Sequence, residues 1–274
     1  MAKHTVEYVA RPFEGISVEA DLVARREVVP AATIAVRTTE EYGSRDVIIT
    51  TFLPDSWPAL HRQDGTVLLA MQTLAGSGDL SRDIAANLLE ALDSEPGTPV
   101  VRSGLPGPGP RLQDVIDWSG DLTVEVHDNV DFWVDPSTDM TEEVRASIDD
   151  AAESMIDTVK LSSVDSAYWN RIGAKEFLRW SMPRDEDQVM NAIARLHARR
   201  ESAIGEARFL GAFRSCGIVI PVWELPRGSE AEDIDGAVGE YWPRLAAELD
   251  NDAPLTSDER RAKAGLVSRQ VTLR

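Results

Sequence analysis

The sequence predicts an α+β protein made of two tandem units of mixed helices and antiparallel strands. Three observations support this prediction. The chain has 274 residues, enough for two hydrophobic cores. Short apolar runs alternate with segments of helical period, and a Pro/Gly-rich stretch begins at Gly104. We therefore expect an N-terminal unit over 1–103, a linker with a short helix over 104–117, and a C-terminal unit over 118–274.

The N-terminal unit begins with the order helix, three strands, helix. The predicted elements are a helix over 17–29, strands over 33–38, 47–53 and 67–74, and a helix over 80–92. Pro30 ends the first helix, because proline cannot continue it. Asp64-Gly65 between the last two strands favours a hairpin. Asp79 is a suitable N-cap for the second helix.

The C-terminal unit shows the order helix, three strands, helix, two strands, helix. Helices are predicted over 141–155, 186–198 and 229–241, and strands over 122–126, 130–134, 158–161, 167–172, 176–182, 208–213 and 217–223. Pro243 is expected to interrupt the last of these helices. Thr256 and Glu259 form a capping box for one more helix. This order resembles the small secretion-chaperone-like fold, and a tandem of two such units is the architecture we expect.

The pattern Trp-x-x-Pro occurs three times, beginning at Trp133, Trp180 and Trp223. Each copy ends a predicted strand and precedes a helix that starts with acidic residues. Proline ends the strand ladder, and the acids suit the N-terminus of a helix. The three copies are either a structural repeat or a coincidence. In both cases we expect these indoles to pack in a core rather than to form a ligand cage, and we keep them as candidate functional positions.

The net charge of −19, from 28 basic and 47 acidic residues, disfavours several classes of partner. Nucleic acid is disfavoured because binding it requires a basic surface that releases counterions. Anionic membranes are disfavoured for the same reason, and no apolar run is long enough to span a bilayer. The N-terminus has no signal-peptide pattern, so we expect a cytoplasmic protein. An acidic surface would speed encounter with a basic protein.

No residue pattern indicates a catalytic, cofactor or metal site. His127 lies near several aspartates, but a solvated acidic loop explains that cluster without a metal. The glycine-rich stretch at 74–79 is expected to be a tight turn with an N-cap, since no P-loop lysine follows it and no third glycine completes a dinucleotide-binding pattern. Cys216, the single cysteine, is interpreted as a structural thiol in a buried strand. Asp165 lies in a polar run between two strands, where functional loops often occur, and it is kept as a candidate beside a turn-capping role.

The last 18 residues carry a net positive charge, whereas the chain as a whole is acidic. This C-terminal segment, over 257–274, contains five basic and two acidic residues. We expect it to dock on the acidic body of the protein itself. The alternatives are an acidic partner or RNA.

Six segments together resemble an actinobacterial domain of unknown function. They are ARPFEG at 10–15, VPAAT at 29–33, LPDSWPAL at 53–60, GPRLQD at 109–114, LSSVD at 161–165 and SRQVTL at 268–273. The resemblance implies no established activity. Some relatives carry an N-terminal zinc knuckle similar to the one that ends the export motor SecA. That knuckle is absent from this sequence, which has one cysteine.

Three functional hypotheses follow. The first is a non-enzymatic, chaperone-like protein that binds other polypeptides and is linked to protein export; it predicts an exposed apolar groove rimmed by acids. The second is an enzyme with an unfamiliar site, which predicts a deep pocket that gathers several polar side chains, at least one with a strongly shifted pKa. The presence of Asp165 or His127 in that pocket would support it. The third is a ribosome- or RNA-associated factor that acts through the basic C-terminal segment.

Overall fold

The computed structural model describes residues 8–72, 76–101, 104–136, 140–153 and 155–267. These residues form an α+β fold with seven α-helices and two β-sheets, which confirms the predicted fold class. The first sheet is mixed rather than antiparallel as predicted, because its strands Asp46–Thr50 and Val67–Ala70 are parallel. The chain divides into two compact units, Met1–Met155 (unit 1) and Ile156–Arg274 (unit 2). The division therefore falls at 155/156 and not in the Pro/Gly-rich stretch. Strands on both sides of that stretch belong to the same sheet, which keeps residues 104–117 inside unit 1.

Unit 1 is a mixed sheet with helices and three short 3-10 turns. Its elements are α1 (Glu19–Glu27), β1 (Ala32–Thr38), β2 (Asp46–Thr50), β3 (Ala59–His61), β4 (Val67–Ala70), α2 (Leu80–Asp93), β5 (Thr98–Pro99), α3 (Leu112–Val115), β6 (Ile116–Asp117), β7 (Glu125–Val126) and α4 (Glu142–Glu153), with 3-10 turns at Glu40–Tyr42, Pro54–Ser56 and Asp131–Trp133. The strand order is β5-β3-β4-β2-β1-β6, and β7 also pairs with β1.

The two faces of this sheet are covered by different parts of the chain. Helix α2 packs against β3 and β4, and His61 accordingly bonds the carbonyl of Ser94 at the end of α2. Side chains alternate along a strand, so Leu60 and Leu68 point to the opposite face. There they join an apolar cluster with Trp133 and with residues of α4.

Two predictions for unit 1 are corrected by the sheet. Asp64-Gly65 turns the chain from β3 to β4, whereas β2 and β4 are parallel neighbours. The three-residue strand β3 is too short to show a periodic pattern, and for that reason the sequence predicts the hairpin between the runs 47–53 and 67–74 instead of between β3 and β4. The run 130–134 is not a strand: Asp131–Trp133 form a 3-10 turn. Apolar runs of this length do not distinguish a strand from a buried turn.

Unit 2 is a five-stranded antiparallel sheet with three helices. Its elements are β8 (Asp157–Lys160), β9 (Ala167–Ile172), β10 (Lys175–Trp180), α5 (Glu186–Ala198), β11 (Arg208–Ser215), β12 (Ile218–Glu224), α6 (Ala231–Leu249) and α7 (Ser257–Val267). The strand order is β11-β12-β10-β9-β8. Together with α4, these elements reproduce the predicted order of helix, three strands, helix, two strands, helix.

Two local predictions for unit 2 are corrected. Helix α6 continues through Pro243, although proline removes the bond to the carbonyl of Gly239. Tyr241 and Leu245, on either side of the proline, are fully buried, so tertiary packing holds the helix together across that lost bond. Cys216 lies in the two-residue turn between β11 and β12 and not in a strand. Its φ of 46° is a turn conformation.

Candidate functional site

The candidate site is an open cleft on the sheet of unit 1, with a volume of about 470 Å³. It lies on the face that carries the apolar cluster of Trp133 and α4. Its floor contains Ala35, Ile48 and Leu122, and its rim contains Arg37, Asp46 and Asp117. Ala35 lies directly opposite Ile48 in the β1–β2 ladder, and Arg37 lies opposite Asp46. The cleft is therefore an apolar floor with a charged row at one end.

The second wall of the cleft is a bulged loop between β6 and β7. Arg37 pairs with Asp117 of β6, and Thr33 pairs with Glu125 of β7. Between these two pairs the loop has seven residues, 118–124, whereas β1 has three, 34–36. Because the loop is longer than the strand segment that it spans, it arches away from β1. The loop is fixed at its start, because Trp118 donates its indole N–H to the carbonyl of Leu112 at 3.1 Å.

The arch leaves one residue of β1 without a main-chain partner on this side. In a ladder, alternate residues direct their N–H and C=O groups to the same edge. The N–H of Thr39 donates to the carbonyl of Val115, and the carbonyl of Ala31 accepts the N–H of His127. The odd-numbered residues of β1 therefore direct their N–H and C=O groups towards β6 and β7. Ala35 shares this edge, yet among the described residues nothing bonds its N–H or its C=O.

The charges on the rim are not balanced. Arg37 and Asp46 form an exposed ion pair at 2.8 Å. Asp117 is instead bound by Ser119, through its hydroxyl at 2.6 Å and its N–H at 3.0 Å. These hydrogen bonds lower the pKa of Asp117. Asp117 therefore remains ionised at neutral pH, and no basic side chain of the described residues forms an ion pair with it, since Arg37 bonds Asp46.

Asp165 does not lie in the cleft. It is exposed in unit 2, and its carbonyl accepts the indole N–H of Trp180 at 3.0 Å. The acid that organises this loop is Asp235 of α6, which accepts bonds from Ser162 and Ser163. Burial acts to raise the pKa of Asp235, but these bonds outweigh it and lower the pKa. The contribution of Asp165 to this loop is therefore its main-chain carbonyl, which binds Trp180, and not its carboxylate.

The three tryptophans of the repeated pattern are core residues. Trp133, Trp180 and Trp223 are 9%, 3% and 0% exposed. Each indole N–H donates to a main-chain carbonyl, namely those of Phe52, Asp165 and Ser202. Trp180 and Trp223 lie in the ladder of unit 2, whereas Trp133 lies in a 3-10 turn. The core interpretation is confirmed, and the strand-turn-helix repeat holds for the second and third copies alone.

His127 is held by contacts within unit 1. Its Nε2 lies 2.8 Å from the hydroxyl of Thr33, and the ring of Phe132 packs 4.9 Å from its own ring. Asp131, one of the neighbouring acids, is bonded by Asn129. In the described ranges there is no group of three or more His, Cys, Asp or Glu residues that could hold a metal ion.

Acidification is expected to weaken the folded state through His127. Burial lowers its pKa below the 6.5 of a free imidazole. The unfolded chain therefore takes up this proton at a higher pH than the folded chain. The contribution to stability is complete above the unfolded pKa and is lost as the pH falls through the folded pKa. Urea unfolding at pH 7.5 and pH 5 should show a smaller pH effect in His127→Gln than in the wild type. Equal pH effects would contradict this assignment.

In the glycine-rich turn before α2, main-chain and hydroxyl donors are bonded by carboxylates of the chain itself. Asp79 accepts the N–H of Arg82, which confirms the predicted N-cap. The N–H and hydroxyl of Ser77 both bond the buried carboxylate of Asp83, at 2.7 and 2.5 Å. The N–H and hydroxyl of Ser77 are thus already used by a carboxylate of the chain. Residues 73–75 lie outside the described residues.

The basic C-terminal segment docks on its own unit as far as it is described. Helix α7 packs against α5, and Lys263 forms an ion pair with Asp187 at 2.5 Å. Arg261 pairs with Asp258. The capping box of Thr256 and Glu259 is present. Residues 268–274, which hold the last two arginines, lie outside the described residues.

A family model for DUF5926, a family of unknown function, matches residues 12–274. The chain belongs to this family. The DUF5926 match extends over both units, and it confirms the resemblance to a domain of unknown function. Searches of curated proteins and of solved structures found no match. The secretion-chaperone-like fold, the actinobacterial origin and the knuckle-bearing relatives therefore stay predictions.

Two segments that carry the resemblance to DUF5926 contact each other in unit 1. Arg111 and Gln113 each donate a side-chain N–H to the carbonyl of Pro12, at 2.9 Å, and Gln113 also bonds the carbonyl of Glu14. These side chains tie the segment before α1 to the segment that opens α3. In this chain the side chains of Arg111 and Gln113 therefore have a structural role at this joint.

Sequence reasoning did not find the cleft. Ala35 and Asp117 lie in ordinary strand positions, and their special feature is a lost pairing opposite the loop 118–124. The only local signal was Ser119-Gly120, a turn-forming pair that follows a two-residue strand. No helix in the described part of the chain has the length and apolar character of a membrane span.

Proposed function

We propose that this protein binds an extended segment of another polypeptide in the cleft of unit 1. The observation that supports this proposal is the unpaired main chain of Ala35 at the edge of an apolar floor. Strands with free N–H and C=O groups recruit extended chains by adding a further main-chain pair. The residue of the ligand opposite Ala35 would exchange two hydrogen bonds with it.

The apolar floor supplies the rest of the binding energy. Residues that lie directly opposite in a ladder place their side chains on the same face. The paired ligand residue would therefore direct its side chain into the cleft, against Ile48 and Leu122. Full burial of a valine- or leucine-sized side chain contributes about 1.5–3 kcal/mol. A small, partly exposed site of this kind suits weak and reversible binding.

The same geometry favours a binding protein over an enzyme. The cleft is lined by neither Asp165 nor His127, whose presence in a pocket would support the enzyme hypothesis. Among the described residues, the acids on its rim are Asp46, paired with Arg37, and Asp117, held by Ser119. The chaperone-like role and the link to protein export are finer versions of the proposal, and both require such a segment-binding surface.

The test is a selection from a phage-displayed library of random nine-residue peptides on the full chain. Selected peptides should bind Ala35→Pro about tenfold more weakly, because proline removes the one N–H that faces the ligand. Proline is tolerated where the N–H is not used in the ladder. Fluorescence anisotropy gives the dissociation constants.

A second variant distinguishes a loss of binding from a loss of folding. Ala35→Leu keeps the N–H but fills the floor of the cleft, and it should also weaken binding. Ala146→Leu makes the same change at an exposed position of α4 and should bind like the wild type. Circular dichroism checks that each variant is folded. Selected peptides that bind both Ala35 variants as tightly as the wild type would overturn the proposal.

A further inference from the structure

We infer that the bound segment carries a basic side chain two residues away from the residue that pairs with Ala35. This inference rests on the proposed function and specifies its ligand. It comes from the rim of the cleft, where Asp117 is an exposed carboxylate beside an apolar floor. A ligand paired with Ala35 meets this carboxylate where it leaves the strand edge, because β6 ends at Asp117.

The charges of the rim select a cation. Arg37 lies opposite both Asp46 and Asp117 in the two ladders, but its guanidinium bonds Asp46, with Nε at 2.9 Å. Asp117 is left with the two neutral donors of Ser119. One arginine therefore faces two carboxylates, and the rim carries one excess negative charge. The whole chain, with a net charge of −19, adds a long-range attraction for basic segments.

The pleat of the strand sets the spacing. Side chains two residues apart share one face of a strand and lie about 6.5–7 Å apart along it. On β1 this is the step from Ala35 to Arg37, and Asp117 lies directly opposite Arg37. Because Asp117 itself holds the position opposite Arg37, a ligand paired with Ala35 must leave the ladder there and rise over the cleft face, which brings its second neighbour to the carboxylate of Asp117. The expected motif is an apolar residue and a lysine or arginine separated by one residue.

Lysine and arginine suit this position for a second reason. Their long aliphatic stems lie along apolar surface while the charged group reaches water. Leu122 and Ile48 offer that surface next to the carboxylate. A lysine or arginine at this place would therefore gain from both parts of the site, whereas a glutamate would be repelled by Asp117.

The experiment compares the peptides selected by three forms of the full chain: wild type, Asp117→Asn and Asp121→Asn. Asp121 lies in the same loop and is exposed, and the change removes the same charge without altering the rim. Wild type and Asp121→Asn should enrich apolar-x-Lys/Arg peptides, and Asp117→Asn should enrich the apolar residue alone.

Dissociation constants give the magnitude. A selected basic peptide should bind Asp117→Asn about three- to fivefold more weakly than the wild type, the range of an exposed ion pair. Its lysine-to-glutamine version should bind both forms equally. An increase in salt from 50 to 500 mM should weaken the basic peptide and not the neutral one.

The two possible failures are distinguishable. Peptides that respond to Ala35→Pro but show no basic enrichment, or that bind Asp117→Asn and Asp121→Asn alike, would overturn this inference and leave the proposed function standing. A selection that recovers no peptide would contradict the proposed function and, with it, this inference.

Discussion

Replacement of Trp223 by alanine is expected to lower the free energy of unfolding of unit 2 by about 3–5 kcal/mol, the range for truncation of a buried aromatic residue. Trp223 is 0% exposed. Its ring makes edge-on contacts with Phe209 at 5.1 Å and Tyr241 at 6.0 Å, so it joins β11 to α6. The truncation leaves a cavity between the sheet and the helix layer.

The variant also removes a buried hydrogen bond. The indole N–H of Trp223 donates to the carbonyl of Ser202 at 2.9 Å, and this carbonyl would lose its partner. Trp223→Phe separates the two effects, because it keeps most of the ring and loses the donor. We expect it to cost about 1–3 kcal/mol, the penalty for an unsatisfied buried polar group.

Trp242 is the matched control for this prediction. It lies next to Tyr241 in α6 but is 38% exposed, and its ring contacts Trp180 at 5.5 Å. Trp242→Ala should cost less than Trp223→Ala, since more than a third of the Trp242 surface is already exposed and its truncation leaves no enclosed cavity. Urea unfolding of the full chain, followed by far-UV circular dichroism, measures all three variants. Equal shifts for Trp223→Ala and Trp242→Ala would refute the assignment of Trp223 to the centre of the core.

The structure shows which features of the fold are encoded locally. Helix α5 covers 186–198, as predicted, because Asp185 caps its N-terminus and Val189, Ile193 and Leu196 recur on one buried face. These signals lie within the helix or next to it. Strands β9 and β12 were found for the same reason: each is an apolar run with clear ends.

Features that depend on distant pairing were not predictable. The parallel pairing of β2 with β4 depends on β3, a three-residue strand without a pattern. The cleft depends on the difference in register between β6 and β7, two strands of two residues each. Nothing in the sequence near Ala35 shows that its partner strand is interrupted. The polar loop around Asp165 indicates a candidate site in the sequence, but Ser162 and Ser163 of that loop bond to Asp235, which lies more than 60 residues later.

Replacement of Arg62 by alanine is expected to destabilise unit 1 by about 3 kcal/mol, since it removes one partner of a largely buried charge network. The side chain of Arg62 is 10% exposed. One of its terminal nitrogens donates to the carbonyls of Phe132 and Val134, both at 3.0 Å. These two residues flank Trp133 in the sequence. Arg62 therefore holds the 3-10 turn that places Trp133 in the core.

The same guanidinium binds a carboxylate. Its Nε and its other terminal nitrogen contact the two oxygens of Asp64, at 3.0 and 2.5 Å. This contact lowers the pKa of Asp64. A depressed carboxylate pKa contributes stability above the unfolded pKa of about 4, and that stability is lost as the pH falls through the folded pKa. The difference between the wild type and Arg62→Ala should therefore shrink in acid.

Arg261→Ala provides the control for Arg62→Ala. Arg261 also pairs with an aspartate, Asp258, but the two side chains are 81% and 76% exposed. Its loss should change the free energy of unfolding by no more than about 0.5 kcal/mol. Arg62→Lys keeps the charge but not the planar set of donors, so it should recover less than half of the loss. Full recovery by lysine would mean that charge alone stabilises the turn around Trp133, and the proposed geometric role of Arg62 would then be wrong.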